Sequence, residues 1–267
     1  MSRAASGRRA AGAGLLAAAL LVPLVPLLLW AVAGEFRYPA LTPELSGRGL
    51  ALLGDPAVRA ALGTSLLIAL TVAALATVIG AAAGRALGCH TFPGRRAVQL
   101  LLLAPVIVPT LAVTLGIQVF LIRYGLADTV AGVVLVQLIP TVPYVSLVMS
   151  ASFAGLDAGV EDAGRVLGAG PVRRLVHVTL PAVAPGLAVA ALFAFLISWS
   201  EYILTLLIGG GTVQTLPLLL FAAIGSADLT AAAALSLVIA VPPVLLVGLT
   251  ARFLTGPTAA TVGFGRL

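Results

Sequence analysis

Few side chains in this sequence can do chemistry, and their spacing excludes most of it. Cys89 has no second cysteine with which to form an internal disulfide or a cysteine-based metal site. Neither His90 nor His177 has a companion at metal-ligand spacing, so no metal site is expected. The glycine run Gly209–Gly211 leads into Thr-Val-Gln, not into the Lys-Ser or Lys-Thr of a phosphate-binding loop, and reads as a loop. An intramembrane enzyme would need a nucleophile and a base clustered inside apolar stretches, and only one group offers itself there. That group is Glu201, with Ser198 and Thr205 close by in sequence. The other concentration of reactive or charged groups is "EDAGRVLGAGPVRRLVHVTLP", Glu161 to Pro181, set between two apolar runs.

The elements that must position these residues follow from composition. Hydrophobic residues make up 61% of the 267 and charged residues 9%, against about 25% charged in a soluble domain. The chain reads as one all-α, polytopic membrane domain. A span needs roughly 20 apolar residues, and six stretches qualify, at about 13–33, 62–84, 98–121, 130–152, 184–207 and 230–253. They must be helices, because backbone in lipid has to satisfy its own hydrogen bonds. Residues 1–12 and 254–267 are then tails around a transmembrane domain at 13–253, with a long loop at 157–181 between the fourth and fifth spans.

All 15 basic residues are arginine. Arg3, Arg8, Arg9, Arg85, Arg95, Arg96, Arg165, Arg173, Arg174, Arg252 and Arg266 fall on one side of the six spans, and Arg37, Arg48, Arg59 and Arg123 on the other. The positive-inside rule places both termini and the long loop in the cytoplasm. The net charge of +6 is therefore read as loop asymmetry, not as a nucleic-acid surface. Arg8-Arg9, an apolar run and "AVA" at 31–33 also imitate a signal peptide. The run exceeds the usual length of about 7–15 residues, so a retained first span is expected.

Pro23, Pro26, Pro105, Pro109, Pro140, Pro143, Pro242 and Pro243 lie inside the spans. Each removes a backbone donor. Their pairing suggests bent helices around a pathway, although proline is simply commoner in membrane helices than in soluble ones. The small-residue stretch Gly80–Gly84 would permit close helix approach.

In the long loop, Asp157 can cap a helix that starts near Ala158, and Glu161 and Asp162 suit the positive end of its dipole. Gly168 and Gly170 end that helix. Pro171 opens a second one carrying Arg173 and Arg174, and Pro181 is expected to stop it. Such a helix–turn–helix is either a docking surface or an amphipathic element resting on lipid headgroups.

At this point the sequence resembles a known family. Asp162-Ala163-Gly164, three residues, Gly168, nine residues, then Val178-Thr179-Leu180-Pro181 is similar to the "EAA…G…I-LP" signature of the permease subunits of binding-protein-dependent ABC importers. Asp162 stands for Glu, Gly164 for Ala and Val178 for Ile. The resemblance covers about Gly63 to Leu254. It implies that the loop carries a coupling helix seated in a cleft of a cytoplasmic ATPase. It further implies that Asp162, Ala163, Gly164, Gly168, Leu180 and Pro181 transmit nucleotide-driven closure, with Glu161 as a neighbouring acid able to pair with the ATPase. Catalysis, cofactor binding and ATP use would then belong to the partner ATPase dimer. The other partners implied are a second permease, identical or homologous, an extracytoplasmic solute-binding protein and membrane lipid. The location implied is the bacterial cytoplasmic (inner) membrane.

Glu201 falls in the outward half of the fifth predicted span, where a charge is costly and normally faces protein or water. It reads either as a pathway residue assisted by Ser198 and Thr205, or as an interfacial acid beside an aromatic belt of Trp199 and Tyr202. The stretch "SWSEYILTLLIGGGTVQTLPLLLF" looks most like the polyamine, iron and thiamine branch of these permeases, which implies a spermidine- or putrescine-like cation, with iron or thiamine next. A sugar-type permease is an alternative. An ion-coupled secondary transporter using Glu201 is another, but it leaves Glu161–Pro181 without a purpose.

Overall fold

The computed structural model describes residues 22, 24–34, 44–156 and 158–255. Every regular element among them is helical, and β-structure is limited to one isolated bridge between Ala33 and Leu45. The helices are α1 (Leu24–Ala31), α2 (Arg48–Leu52), α3 (Pro56–Cys89), α4 (Arg95–Ile107), α5 (Thr110–Arg123), α6 (Val130–Ala154), α7 (Ala158–Val166), α8 (Pro171–Arg174), α9 (Leu180–Trp199), α10 (Ile203–Gly209), α11 (Leu216–Gly225) and α12 (Leu229–Thr255). A π-turn, Leu175–Thr179, joins α8 to α9.

Pro56–Cys89, Val130–Ala154, Pro171–Trp199 and Leu229–Thr250 are long and apolar enough to cross a membrane, and α4 with α5 makes a fifth candidate if the bent pair is one span. Most of the first predicted span, 13–33, lies outside the described residues, as do the tail at 1–12, Asp157, and residues 256–267 of the C-terminal tail. The third predicted span is bent by 96° between α4 and α5. Val108 is extended there, with φ −77° and ψ 136°, because the ring of Pro109 bars the residue before it from the helical region. At Pro140 and Pro143, by contrast, α6 runs on unbroken. The Thr141 hydroxyl donates to the carbonyl of Gln137 and that of Ser146 to Val142, each one turn back along the same helix.

The fifth span differs most from expectation. Pro181 does not stop the second loop helix, and Pro171–Trp199 forms one continuous 29-residue rod. The reason is the π-turn: the Leu180 N–H reaches back five residues to the Leu175 carbonyl, and the widened turn accepts a residue that has no N–H. At its other end the rod finishes at Trp199, eight residues short of the predicted limit, and the chain restarts as α10 after Ser200–Tyr202.

The chain forms two compact units. The first comprises residues 1–62 and 216–242. In it Arg48 pairs with Asp228, whose other oxygen caps α12 through the Ala231 N–H at 3.0 Å. The Thr230 hydroxyl donates to the Ala33 carbonyl at 3.0 Å, and α1 packs through Ala31 on Ala233 and Ala234. The second unit comprises residues 63–215 and 243–267 and is organised around α6. A methyl added at Gly80 would lie 2.4 Å from Val145, at Gly84 2.5 Å from Met149, and at Gly88 2.6 Å from the Ser150 carbonyl. Three glycines at four-residue spacing thus bring the α3 backbone directly onto α6. Gly186 does the same for α9 against Ser152 of α6.

Candidate functional site

The loop motif folds as a hairpin. At its turn Gly168 adopts φ +77°, a conformation glycine enters without steric cost. Its N–H bonds to the Arg165 carbonyl and the Ala169 N–H to that of Gly164, both at 3.0 Å. This pair of bonds is a Schellman motif, satisfying two carbonyls that the end of α7 leaves open. Gly170 is extended and Pro171 opens α8. Gly164 is buried: a Cβ there would sit 3.4 Å from Arg174 Cγ and 3.7 Å from Val178 Cγ2, so α7 packs on α8 and the π-turn at this residue.

The structure therefore brings Gly164, Gly168 and the π-turn before Leu180 and Pro181 into one substructure. Asp162 is exposed on α7 and faces Arg165 at 3.9 Å, an ion pair that solvent makes weak. Glu161 and Ala163 belong to α7, and their side chains fall outside the described residues. Sequence reasoning missed the hairpin's apolar tip. Val166 is 86% exposed, Leu167 85% and Val172 72%, all beside the Gly168 turn. The available signal was their position: apolar residues at the end of a short polar helix that has no core to enter.

Glu201 lies in the gap between α9 and α10, where its Oε1 accepts the Leu204 N–H at 2.9 Å. The carboxylate thus serves one of the open N–H groups at the start of α10. Ser198 and Thr205 are buried, and both bond to a residue that sequence reasoning did not single out. Gln137 of α6, 2% exposed, donates from Nε2 to Thr205 Oγ1 at 3.0 Å and accepts from Ser198 Oγ at 2.5 Å. One amide on α6 therefore holds the last turn of α9 and the first turn of α10. A polar residue in the middle of an apolar span was the signal that could have found it.

Trp199 is 3% exposed and stacks on Phe195 with ring centroids 5.5 Å apart, so it does not join an exposed aromatic belt beside Glu201. Nearby, Pro105, Pro140 and Leu204 line a cavity of about 10 Å³, which is room for one water. Beyond α10, Asp128 and the Gly210–Thr212 turn are locked together. The Thr212 hydroxyl donates to the Asp128 carbonyl at 2.7 Å, and the Asp128 N–H to Ile208 at 2.8 Å. Among the described residues no cluster of His, Cys, Asp or Glu has the arrangement of a metal site.

Comparison with known proteins supplies the context for this geometry. Residues 76–256 match the family described as "Binding-protein-dependent transport system inner membrane component". The chain is 33% identical over 185 residues to ORF1 of Streptomyces antibioticus, an ABC transporter permease by name, covering 69% of this chain and 80% of that one. It is 29% identical over 182 residues to the putrescine transport system permease PotI of Escherichia coli K12, covering 65% and 64%. At 30% identity stands the maltodextrin transport system permease MdxG of Bacillus subtilis, over 53% of this chain and 51% of that one. Among solved structures, a chain of a bacterial ABC transporter involved in alginate import superposes with a TM-score of 0.67 at 18% identity, over 96% of this chain and 99% of the other, which shows the shared fold. The family match spans both the hairpin and the broken span, and the chain belongs to the inner-membrane components of binding-protein-dependent transport systems, the permease subunits of ABC importers.

Proposed function

We propose that this permease has six spans, forms half of a translocation pathway and couples it to a separate ATPase through the α7–α8 hairpin. The carrying observation is the tip of that hairpin. Val166, Leu167 and Val172 stand in solvent on a scaffold that the Gly168 turn and the Gly164 contact hold in shape. Exposed apolar groups on a built element are the signature of a docking surface. Asp162, exposed on α7, offers negative charge for a basic group of the ATPase, with Glu161 next to it in sequence as a second acid, and the continuous rod from Pro171 to Trp199 carries displacement of the hairpin to the Glu201 break. The arginine distribution supports a cytoplasmic hairpin and cytoplasmic termini.

The test is co-purification of the ATPase with Leu167→Asp, which leaves the glycine turn and the buried Gly164 contact untouched. Lost co-purification with normal membrane insertion is the expected result, and retained co-purification with normal uptake removes the docking assignment. A reporter fused after Leu267 checks the orientation separately.

For the solute, our reading is a small cation of the spermidine or putrescine kind, supported by the carboxylate of Glu201 at the break and by the likeness to the putrescine permease. A sugar is the second reading, supported equally by the likeness to the maltodextrin permease. Uptake of labelled putrescine and labelled maltodextrin by the assembled system, each challenged with the other, separates the two.

A further inference from the structure

A groove of about 1020 Å³ lies in the second unit beside the π-turn. It is at the upper end of the roughly 300–1,000 Å³ usual for ligand sites. Most of its wall is apolar: Val78 and Ala82 of α3, Phe153 of α6 and Leu187 of α9. Thr77 of α3 is a polar group in that wall, and the basic groups lie further along, Arg85 on α3 and His90 just past its end, with Thr91 beside them. Among the described residues no acidic side chain is in the lining. A second arginine is held near that end, since Arg95 Nη2 donates to the Leu87 carbonyl of α3 at 2.5 Å.

An occupant that matches this wall must be hydrocarbon over most of its length and anionic at one end. The cationic edge disfavours a cationic solute, and a water-soluble anion would leave the apolar slot unfilled. We infer that the groove binds an anionic phospholipid, with an acyl chain along Val78, Ala82, Phe153 and Leu187 and its phosphate toward Arg85 and His90. Basic pockets between membrane helices on the cytoplasmic side are suited to such headgroups, and that leaflet is the anionic one. The inference takes the cytoplasmic placement of this end from the orientation proposed above, which the terminal reporter tests independently.

The position has a functional consequence. Leu175, which opens the π-turn, and Leu180, which follows it, also line the groove. A bound lipid therefore packs on the joint between the hairpin and α9. Lipid charge would then act on the link between ATPase docking and the membrane rod, without contact with either ATP or solute.

The experiment uses the assembled permease–ATPase complex, reconstituted in mixed phosphatidylglycerol and phosphatidylcholine vesicles, re-extracted in mild detergent and weighed intact by native mass spectrometry. Wild type should retain phosphatidylglycerol over phosphatidylcholine. Arg85→Gln should lower that preference about fivefold, the effect of one cation near an anionic headgroup. Ala82→Trp should displace the lipid by filling the slot, and Arg96→Gln, outside the groove, should change nothing. ATPase co-purification reports that each variant is folded and assembled. Equal retention of the two lipids by wild type would overturn the inference without recourse to any variant. So would an equal loss with Arg96→Gln, which would indicate only a charged surface, or a crosslink from Ala82→Cys to the second permease, which would show the groove filled by protein.

Discussion

Replacing Gln137 tests whether the break in the fifth span is held from α6. Its amide makes two buried hydrogen bonds, to Thr205 and from Ser198. Within membrane proteins such bonds average about 0.6 kcal/mol and reach about 1.7, so Gln137→Leu, which keeps most of the volume, should cost about 1–2 kcal/mol. The paired change Ser198→Ala with Thr205→Val does the reverse, leaving the Gln137 amide in place without these partners. A buried polar group left unsatisfied costs about 1–3 kcal/mol, whereas replacing all partners by apolar groups of similar shape is nearly neutral. The triple variant should therefore be more stable than the Ser198→Ala/Thr205→Val pair and at least as stable as Gln137→Leu alone. Unfolding of the purified complex in mild detergent, followed by ATPase co-elution at increasing temperature, gives the ranking. Uptake measured in vesicles should fall in the paired variant and recover in part in the triple one. Stabilities that add independently across the three positions would refute the clamp.

Gly84→Ala should lower thermal stability, because a methyl 2.5 Å from Met149 forces α3 off α6 at about 1–3 kcal/mol, more than the gain of up to about 1 kcal/mol in helix propensity. Gly116→Ala, with nothing within 4 Å, should gain stability in the same assay. Gly164→Ala should stabilise the hairpin by about 0.5–1 kcal/mol, since its Cβ meets Arg174 and Val178 at ordinary contact distance. Gly168→Ala should cost about 1–2 kcal/mol through its left-handed backbone, and hydrogen exchange of the Ala169 amide reads both changes. Glu201→Gln keeps an oxygen for the Leu204 N–H and removes only the charge. It should reduce uptake of a cationic solute at limiting concentration while leaving basal ATP hydrolysis unchanged, and normal uptake would end the pathway role.

What the sequence determined by itself is what depends on neighbours a few residues apart or on composition. The hairpin was legible because its signals are local: a glycine able to take φ +77°, an extended Gly170 and a proline in the first turn of the next helix each act within one turn of chain. The apolar character of the spans was legible because transfer into lipid is set by composition over about 20 residues. The same averaging hid where the fifth span ends. Ser200, Glu201 and Tyr202 lie between strongly apolar runs, so hydropathy continued across a break that the backbone makes. Tertiary structure alone decided which groups share that break. Gln137 meets Ser198 and Thr205 from 61 and 68 positions away, and no periodicity along one helix can name a partner on another. It also decided which prolines bend. Pro109 caps a helix after an extended residue, whereas Pro140 and Pro143 lie inside an α6 that runs on unbroken. The physical reason is plainest at the clamp: a polar residue in a membrane is tolerated where something satisfies the groups it leaves open, and for Ser198 and Thr205 that something is distant in sequence.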